Sequence, residues 1–161
     1  MENELPRPDK FNVRAYGICL REGYILLVRE NMNGFKFTKF PGGGIEYGEG
    51  ILDGLKREIG EELKLEIEKY RHFYTTDFFQ RSAFRNNEQL ISVYYMIEIK
   101  GLPAMADFPV QSIQPGNHTL EFFWVALDKL GPEQLTFPID KKVVSMILSG
   151  NPQIIESFFR G

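Results

Sequence analysis

The acidic residues best suited to chemistry lie in residues 41–65, where a glycine-rich turn leads directly into a predicted helix. Glu58, Glu61 and Glu62 stand on that helix. On a wheel with about 100° per residue, Glu62 lies within the edge of the apolar arc, Glu58 about 40° beyond it and Glu61 about 60° further. The three carboxylates share one rim, where a divalent cation offsets their repulsion. Oxygen ligands at this spacing suit Mg²⁺ or Mn²⁺, although a solvated charged face is the alternative interpretation.

The helix predicted over residues 51–63 also carries an apolar stripe that can dock on a sheet. The stripe spans about 120° of the wheel and contains Ile51, Leu52, Leu55, Ile59 and Leu63. Gly54 and Gly60 lie inside this helix, where a glycine costs about 1 kcal/mol relative to alanine. We interpret both glycines as signs of close packing, with simple tolerance of glycine as the alternative.

The segment from Gly43 to Leu65 resembles the Nudix box of the Nudix hydrolase family, in its MutT-like form. The family pattern is Gly, five residues, Glu, seven residues, Arg-Glu, an aliphatic residue, any residue, Glu-Glu, any residue, Gly and a final aliphatic residue. The matching residues are Gly43, Glu49, Arg57, Glu58, Ile59, Glu61, Glu62 and Leu65. Lys64 departs from the pattern, because the family has glycine there, at the helix end. We expect this departure to affect local stability more than chemistry.

The resemblance implies an α+β fold, a Nudix-type α/β/α sandwich with a central mixed β-sheet, in one domain over residues 1–161. It also implies a hydrolase of phosphoric anhydride bonds that uses Mg²⁺ or Mn²⁺. The metal ligands it implies are Glu58, Glu61 and Glu62, together with the backbone carbonyl near Gly42 or Gly43.

Further roles carry over from the same resemblance. Arg57 would orient a box glutamate, and Glu49 would hold the loop against the helix. The general base is left open between Glu58, Glu61 and a later acid, for which Glu121 near the start of a late strand is the best candidate. The weaker candidates are Glu98 and His118.

Substrate selection is expected from residues that precede the box or begin it. We assign substrate binding to Arg29, Lys39 and Gly43, with Arg29 and Lys39 placed to meet terminal phosphates. The chain lacks the downstream proline and tyrosine that mark some subfamilies, so elimination favours a nucleoside triphosphate pyrophosphatase that yields monophosphate and pyrophosphate. The alternatives are a nucleotide-sugar or other diphosphate hydrolase, an RNA-end pyrophosphohydrolase, an isomerase and a noncatalytic nucleotide-binding regulator.

The elements that position the box are read from hydrophobic periodicity and turn residues. Residues 11–20 and 24–29 are predicted to form a hairpin across Arg21-Glu22-Gly23. Further strands are predicted at residues 89–99, which alternate most clearly, at 65–79, at 120–127 and just before Pro41. A second helix is predicted over residues 140–148, extended by 154–159 after a break at Pro152. Residues 101–118 are predicted to form a long loop.

Composition limits the partners. The 161 residues are 43% hydrophobic, which suits one globular domain, and no apolar stretch reaches the roughly 20 residues that span a bilayer. A net charge of -3 with scattered basic residues disfavours extended nucleic acid, so a nucleotide-like small molecule is the expected partner. The lone Cys19 favours a cytoplasmic location. Residues 1–10 are predicted to be a loose leader, and a homodimer is left open.

Overall fold

Two β-sheets and two α-helices make up the computed structural model, which describes residues 4–151 and Ile155. The helices are α1, Ile51–Leu63, and α2, Pro138–Ser149. The strands in chain order are β1 Lys10–Ile18, β2 Leu20–Arg21, β3 Tyr24–Met32, β4 Phe35–Lys39, β5 Gly42–Gly44, β6 Glu66–Thr75, β7 Glu88–Lys100, β8 Val110–Gln114 and β9 His118–Ala126.

One sheet is mixed and the other is antiparallel. The mixed sheet has the order β5-β1-β7-β6, and its only parallel pair in the described chain is β1 with β7. The second sheet has the order β2-β3-β9-β8, with β4 also paired to β3. The predicted α+β sandwich is therefore confirmed, with the strands divided between two sheets.

The first predicted strand divides at Cys19. Residues before it form β1 in the mixed sheet, whereas Leu20 and Arg21 form β2 in the other sheet. Only β2 makes a hairpin with β3, across Glu22 and Gly23 at φ 51° and 82°. These positive φ values are those of a tight hairpin turn. The turn was predicted correctly, but the pairing of residues 11–18 with β3 was wrong.

The two helices cover separate apolar cores. Alternate residues of β3 divide between them, since Leu26 and Val28 join the core under α1, and Ile25 and Leu27 join the core under α2. The central strand β7 is buried on both faces, because Tyr94 and Met96 belong to one core and Ile97 to the other. Cys19 is buried, as its apolar neighbours indicated.

Most predicted elements lie where the patterns placed them, and one was missed. The prediction of α1 over residues 51–63 is confirmed, and β4 lies just before Pro41, as predicted. β7, β9 and α2 lie on other predicted segments, whereas β6 ends at Thr75, short of the predicted end at residue 79. The predicted loop over residues 101–118 was wrong in part, because it contains β8, paired to β9. That strand offers a weak pattern, since Ile113 is 80% exposed. The predicted extension over 154–159 lies outside the described residues, except for Ile155.

The glycines of α1 have different surroundings. A Cβ on Gly54 would lie 2.4 Å from Ile45 Cδ1 and 2.8 Å from Glu49 Oε1, so close packing explains this glycine. A Cβ on Gly60 would meet nothing closer than 4.0 Å, so this glycine is merely tolerated. Lys64 ends the helix in the left-handed conformation, at φ 59° and ψ 32°, where glycine is favoured.

The end of the amino-terminal segment is hydrogen-bonded to the residue that precedes β7, because the backbone amides of Asp9 and Lys10 both donate to Asn87 O. Within the described ranges, neither helix has the length and apolar character that crossing a bilayer requires.

Candidate active site

The glycine turn that precedes α1 forms β5, which runs antiparallel to β1. Gly42 has a φ of 141°, and a Cβ there would lie 2.1 Å from Ala15 O, so no other residue fits without moving β1. A Cβ on Gly43 would lie 2.7 to 2.9 Å from the carboxyl atoms of Glu58. The Glu58 carboxylate therefore lies directly against the bare backbone of Gly43.

Arg57 ties the turn to the helix. Its Nη2 donates to Glu49 Oε1 at 2.8 Å and to the backbone carbonyl of Gly44 at 2.9 Å, and its Nη1 donates to Glu58 Oε1 at 3.1 Å and to Glu61 Oε2 at 3.3 Å. The hydrogen bond from Arg57 lowers the pKa of the Glu49 carboxyl. One guanidinium thus fixes the loop, through Glu49 and Gly44, and orients two box glutamates.

The three box glutamates occupy different environments. Glu62 Oε2 is buried without a hydrogen-bond partner, and burial raises the pKa of Glu62 to about 8, with Glu58 adding to the rise and Lys39 opposing it. The side chain of Glu58 is 17% exposed, whereas that of Glu61 is 54% exposed and turned towards Arg57. Glu58 therefore lies against the turn with Glu62 near it, and Glu61 lies on the solvent side.

Lys39 completes the charged cluster from β4. Its Nζ donates to Gly42 O at 2.8 Å and lies 3.7 Å from Glu30 Oε2. Glu30 Oε1 in turn lies at hydrogen-bonding distance, 2.7 Å, from His118 Nε2. The predicted phosphate-binding lysine is thus buried, and its ammonium is held by protein acceptors.

The oxygen donors around Gly42 fit a divalent metal ion. Among the residues described, no three His, Cys, Asp or Glu side chains form a group that could hold a metal as they stand. Mg²⁺, however, is usually held by one or two carboxylates, with waters and substrate phosphates as the other ligands. Glu58, Glu62 with its unpartnered Oε2, and the Gly42 carbonyl form such a partial set of oxygen donors.

A cavity of about 1150 Å³ opens beside these donors. Its lining includes Glu58, Glu62 and the glycines of β5, as well as the aromatic side chains Phe37, Phe84 and Phe137. The three rings pack on one another with centroids 5.3 to 6.0 Å apart. The volume suits a drug-sized or nucleotide-sized molecule.

Sequence reasoning missed a polar network in the same lining. Tyr94 donates a hydrogen bond to Asp140, and Arg14 Nε donates to Tyr16 OH at 2.6 Å. Burial raises the pKa of Asp140 to about 6. All four residues line the cavity. They come from β1, β7 and α2, so no spacing in the sequence indicated that they would meet.

Arg29 and Glu121 lie apart from this cluster. Arg29 Nη1 is 2.6 Å from Glu121 Oε1, and the guanidinium lies 4.2 Å from the centre of the Phe123 ring. Neither Arg29 nor Glu121 lines the cavity. The pair faces each other across β3 and β9, so each charge already has a partner. This geometry favours a structural ion pair over the phosphate and base roles predicted for them.

Comparisons with known proteins extend the likeness to the whole fold. The MutT Nudix hydrolase from Burkholderia pseudomallei is 22% identical, with a TM-score of 0.66 over 85% of this chain and 98% of that chain. A Nudix hydrolase from Nitrosomonas europaea is 18% identical, with a TM-score of 0.67 over 88% and 90% of the two chains. A MutT structure from work on Aliivibrio salmonicida and Vibrio cholerae is 19% identical, with a TM-score of 0.63 over 88% and 99%. At these identities the likeness shows the fold alone.

The comparison with curated proteins gave no match. The Nudix domain model matches residues 10–146, which include the glycine turn, α1 and nearly all the cavity lining. The chain therefore belongs to the Nudix family of hydrolases, which act on phosphoric anhydride bonds.

Proposed function

We propose that this chain hydrolyses a diphosphate linkage in a nucleotide-like substrate with the help of Mg²⁺ or Mn²⁺. The observation that carries the proposal is that the Glu58 carboxylate lies against Gly43, and that Glu58 and Glu62 both line a cavity of about 1150 Å³. More narrowly, the substrate is a nucleoside triphosphate, and the products are a monophosphate and pyrophosphate.

Glu58, Glu62 and the Gly42 carbonyl would hold the metal, which, when bound, neutralises phosphate charge and lowers the pKa of a coordinated water. The family resemblance implied that Glu58, Glu61 and Glu62 all bind the metal. We leave Glu61 out of the ligand set, because its side chain is exposed and paired with Arg57. We assign Glu61 a supporting part, in which it keeps Arg57 aligned on Glu58.

The chain's own groups divide the remaining work. Arg57 holds the Glu58 carboxylate in place while it also anchors the loop through Gly44 O. Glu58 is our candidate for the general base, since its carboxylate lines the cavity and Arg57 orients it. The buried walls around the cluster reduce solvent, which strengthens each electrostatic contact there.

The substrate would lie along the cavity from the acidic cluster to the aromatic residues. Phe37, Phe84 and Phe137 offer apolar surface to a base, and the Tyr94–Asp140 pair is a polar part of the same cavity wall.

The test is a substrate panel with Mg²⁺ and, separately, Mn²⁺. We expect nucleoside triphosphates to yield monophosphate and pyrophosphate in equal amounts, measured by chromatography and phosphorus NMR. Nucleotide sugars and RNA with a 5′ triphosphate form the other arms, and cleavage of one of these alone would replace the narrow substrate assignment.

Matched glutamate variants separate catalysis from binding. Glu62→Gln should lower kcat/KM by at least about a hundredfold, as loss of a main electrostatic group does, whereas Glu68→Gln, on an exposed part of β6, should behave as the wild type. Nucleotide binding without metal-dependent product in any arm would instead make the protein a noncatalytic binder.

A further inference from the structure

Lys39, the last residue of β4, is a buried lysine. Only 4% of its surface is exposed, whereas Lys36 on the same strand is exposed. A buried ammonium is costly unless it is paired and hydrogen-bonded. Both conditions are met, because Nζ donates to Gly42 O at 2.8 Å and lies 3.7 Å from Glu30 Oε2.

The partners of this ammonium overlap with the donors proposed for the metal. Gly42 O accepts a hydrogen bond from Lys39 Nζ, and the same carbonyl is one of the donors proposed for the metal. Glu30 is also buried, and its other oxygen is 2.7 Å from His118 Nε2. Lys39 therefore stands as a fixed positive charge between Glu30 and the glycine turn.

We propose that Lys39 is an internal cation that holds the acidic cluster together and competes with the divalent ion for the Gly42 carbonyl. The inference rests on the proposed function, since it takes the same donors to be the metal site. Two consequences follow from the charge balance. Without the ammonium, the metal-free protein loses the counter-ion of Glu30, and the divalent ion meets a freer carbonyl with more negative charge around it.

Lys39→Met tests both consequences, because methionine fills similar space without charge or a hydrogen-bond donor. In the full chain, we expect Lys39→Met to bind Mn²⁺ at least about tenfold more tightly than the wild type, measured by the electron paramagnetic resonance signal of free Mn²⁺. We also expect its metal-free melting temperature to fall and to recover on adding Mn²⁺ by more than the wild type gains. Lys36→Met is the matched control and should change neither value.

Each result decides the proposal. Equal or weaker Mn²⁺ binding by folded Lys39→Met overturns the competition, while the wild type's own Mn²⁺ uptake leaves the proposed function intact. No Mn²⁺ uptake by either protein overturns both. If Lys39→Met does not fold, Lys39→Gln replaces it; because the glutamine amide can still donate to Gly42 O, this variant tests the part of the competition that comes from the positive charge. Tighter Mn²⁺ binding by Lys39→Gln supports the proposal, and unchanged binding overturns it.

Discussion

Gly43→Ala should move the Glu58 carboxylate and lower activity while it changes the stability of the fold little. The added Cβ would lie 2.7 to 2.9 Å from three carboxyl atoms of Glu58, closer than real Cβ contacts allow. Glu58 must therefore swing away from the turn by roughly 1 Å, and a misplacement of that size costs on the order of 100-fold in rate. A hundredfold loss in kcat/KM corresponds to about 2.7 kcal/mol of transition-state stabilisation.

Stability should change far less. The atoms that collide with the new methyl group are the far end of a flexible side chain. Alanine also lowers the entropy of the unfolded chain, which stabilises the fold by about 0.4 to 1 kcal/mol. Gly44→Ala is the matched control, since its Cβ would meet Arg14 Nη1 at 3.5 Å, an ordinary contact.

The assay measures kcat/KM with saturating Mg²⁺ and a thermal melt for each variant. We expect Gly43→Ala to lose about a hundredfold in rate with a melting temperature close to the wild type, and Gly44→Ala to stay within about threefold. Full activity in folded Gly43→Ala would refute the reasoning that the Glu58 position matters. Equal losses of activity in Gly43→Ala and Gly44→Ala would show that the contact with Glu58 is not the cause.

Three further predictions test other parts of the structure. Lys64→Gly should raise the free energy of unfolding by about 1 kcal/mol in chemical denaturation, because Lys64 holds a left-handed conformation at φ 59°; unchanged stability would contradict this. The folded pKa of Asp140 is raised from 3.8 to about 6 by burial, so its contribution to stability is full below about pH 4 and is lost as the pH rises through 6. Asp140→Asn, whose amide oxygen can still accept from Tyr94, should therefore be more stable at pH 7 by up to about 3 kcal/mol and lose this dependence; a variant less stable at pH 7 would oppose the assignment. Arg57→Lys should lower kcat/KM more than tenfold, since lysine cannot bond Glu49 and the glycine loop together as a planar guanidinium does; wild-type rates would argue against its positioning role.

The sequence predicted the exposure of the box glutamates well because a helix has a fixed period. The wheel placed Glu62 inside the edge of the apolar arc, Glu58 beyond it and Glu61 furthest out. The structure follows the same order, with Glu62 Oε2 buried and the side chains of Glu58 and Glu61 at 17% and 54% exposure. Local periodicity was enough for this result.

Features that depend on pairing between distant strands were not predictable in this way. The break at Cys19 sends β1 and β2 to different sheets, although both continue one apolar run. The burial of Lys39 depends on Glu30 from the neighbouring strand, and the Arg29–Glu121 pair depends on the register of β3 with β9. All three features depend on which strands pair and in which register, and the periodicity of a single segment does not reveal either.

The Tyr94–Asp140 pair illustrates a different limit. A single acid at the start of an apolar helix is a common way to begin a helix, since it favours the positive end of the helix dipole. Only the fold reveals that Asp140 is buried and that Tyr94 from β7 donates to it. Its place in the cavity wall therefore had to come from coordinates.

Calorimetric titration of Mn²⁺ into the full chain tests the central claim most directly, that Glu58 and Glu62 hold the divalent ion at the glycine turn. We predict that wild type and Glu68→Gln bind with equal affinity and that Glu62→Gln binds at least about tenfold more weakly while remaining folded. Wild-type affinity in Glu62→Gln would contradict the account.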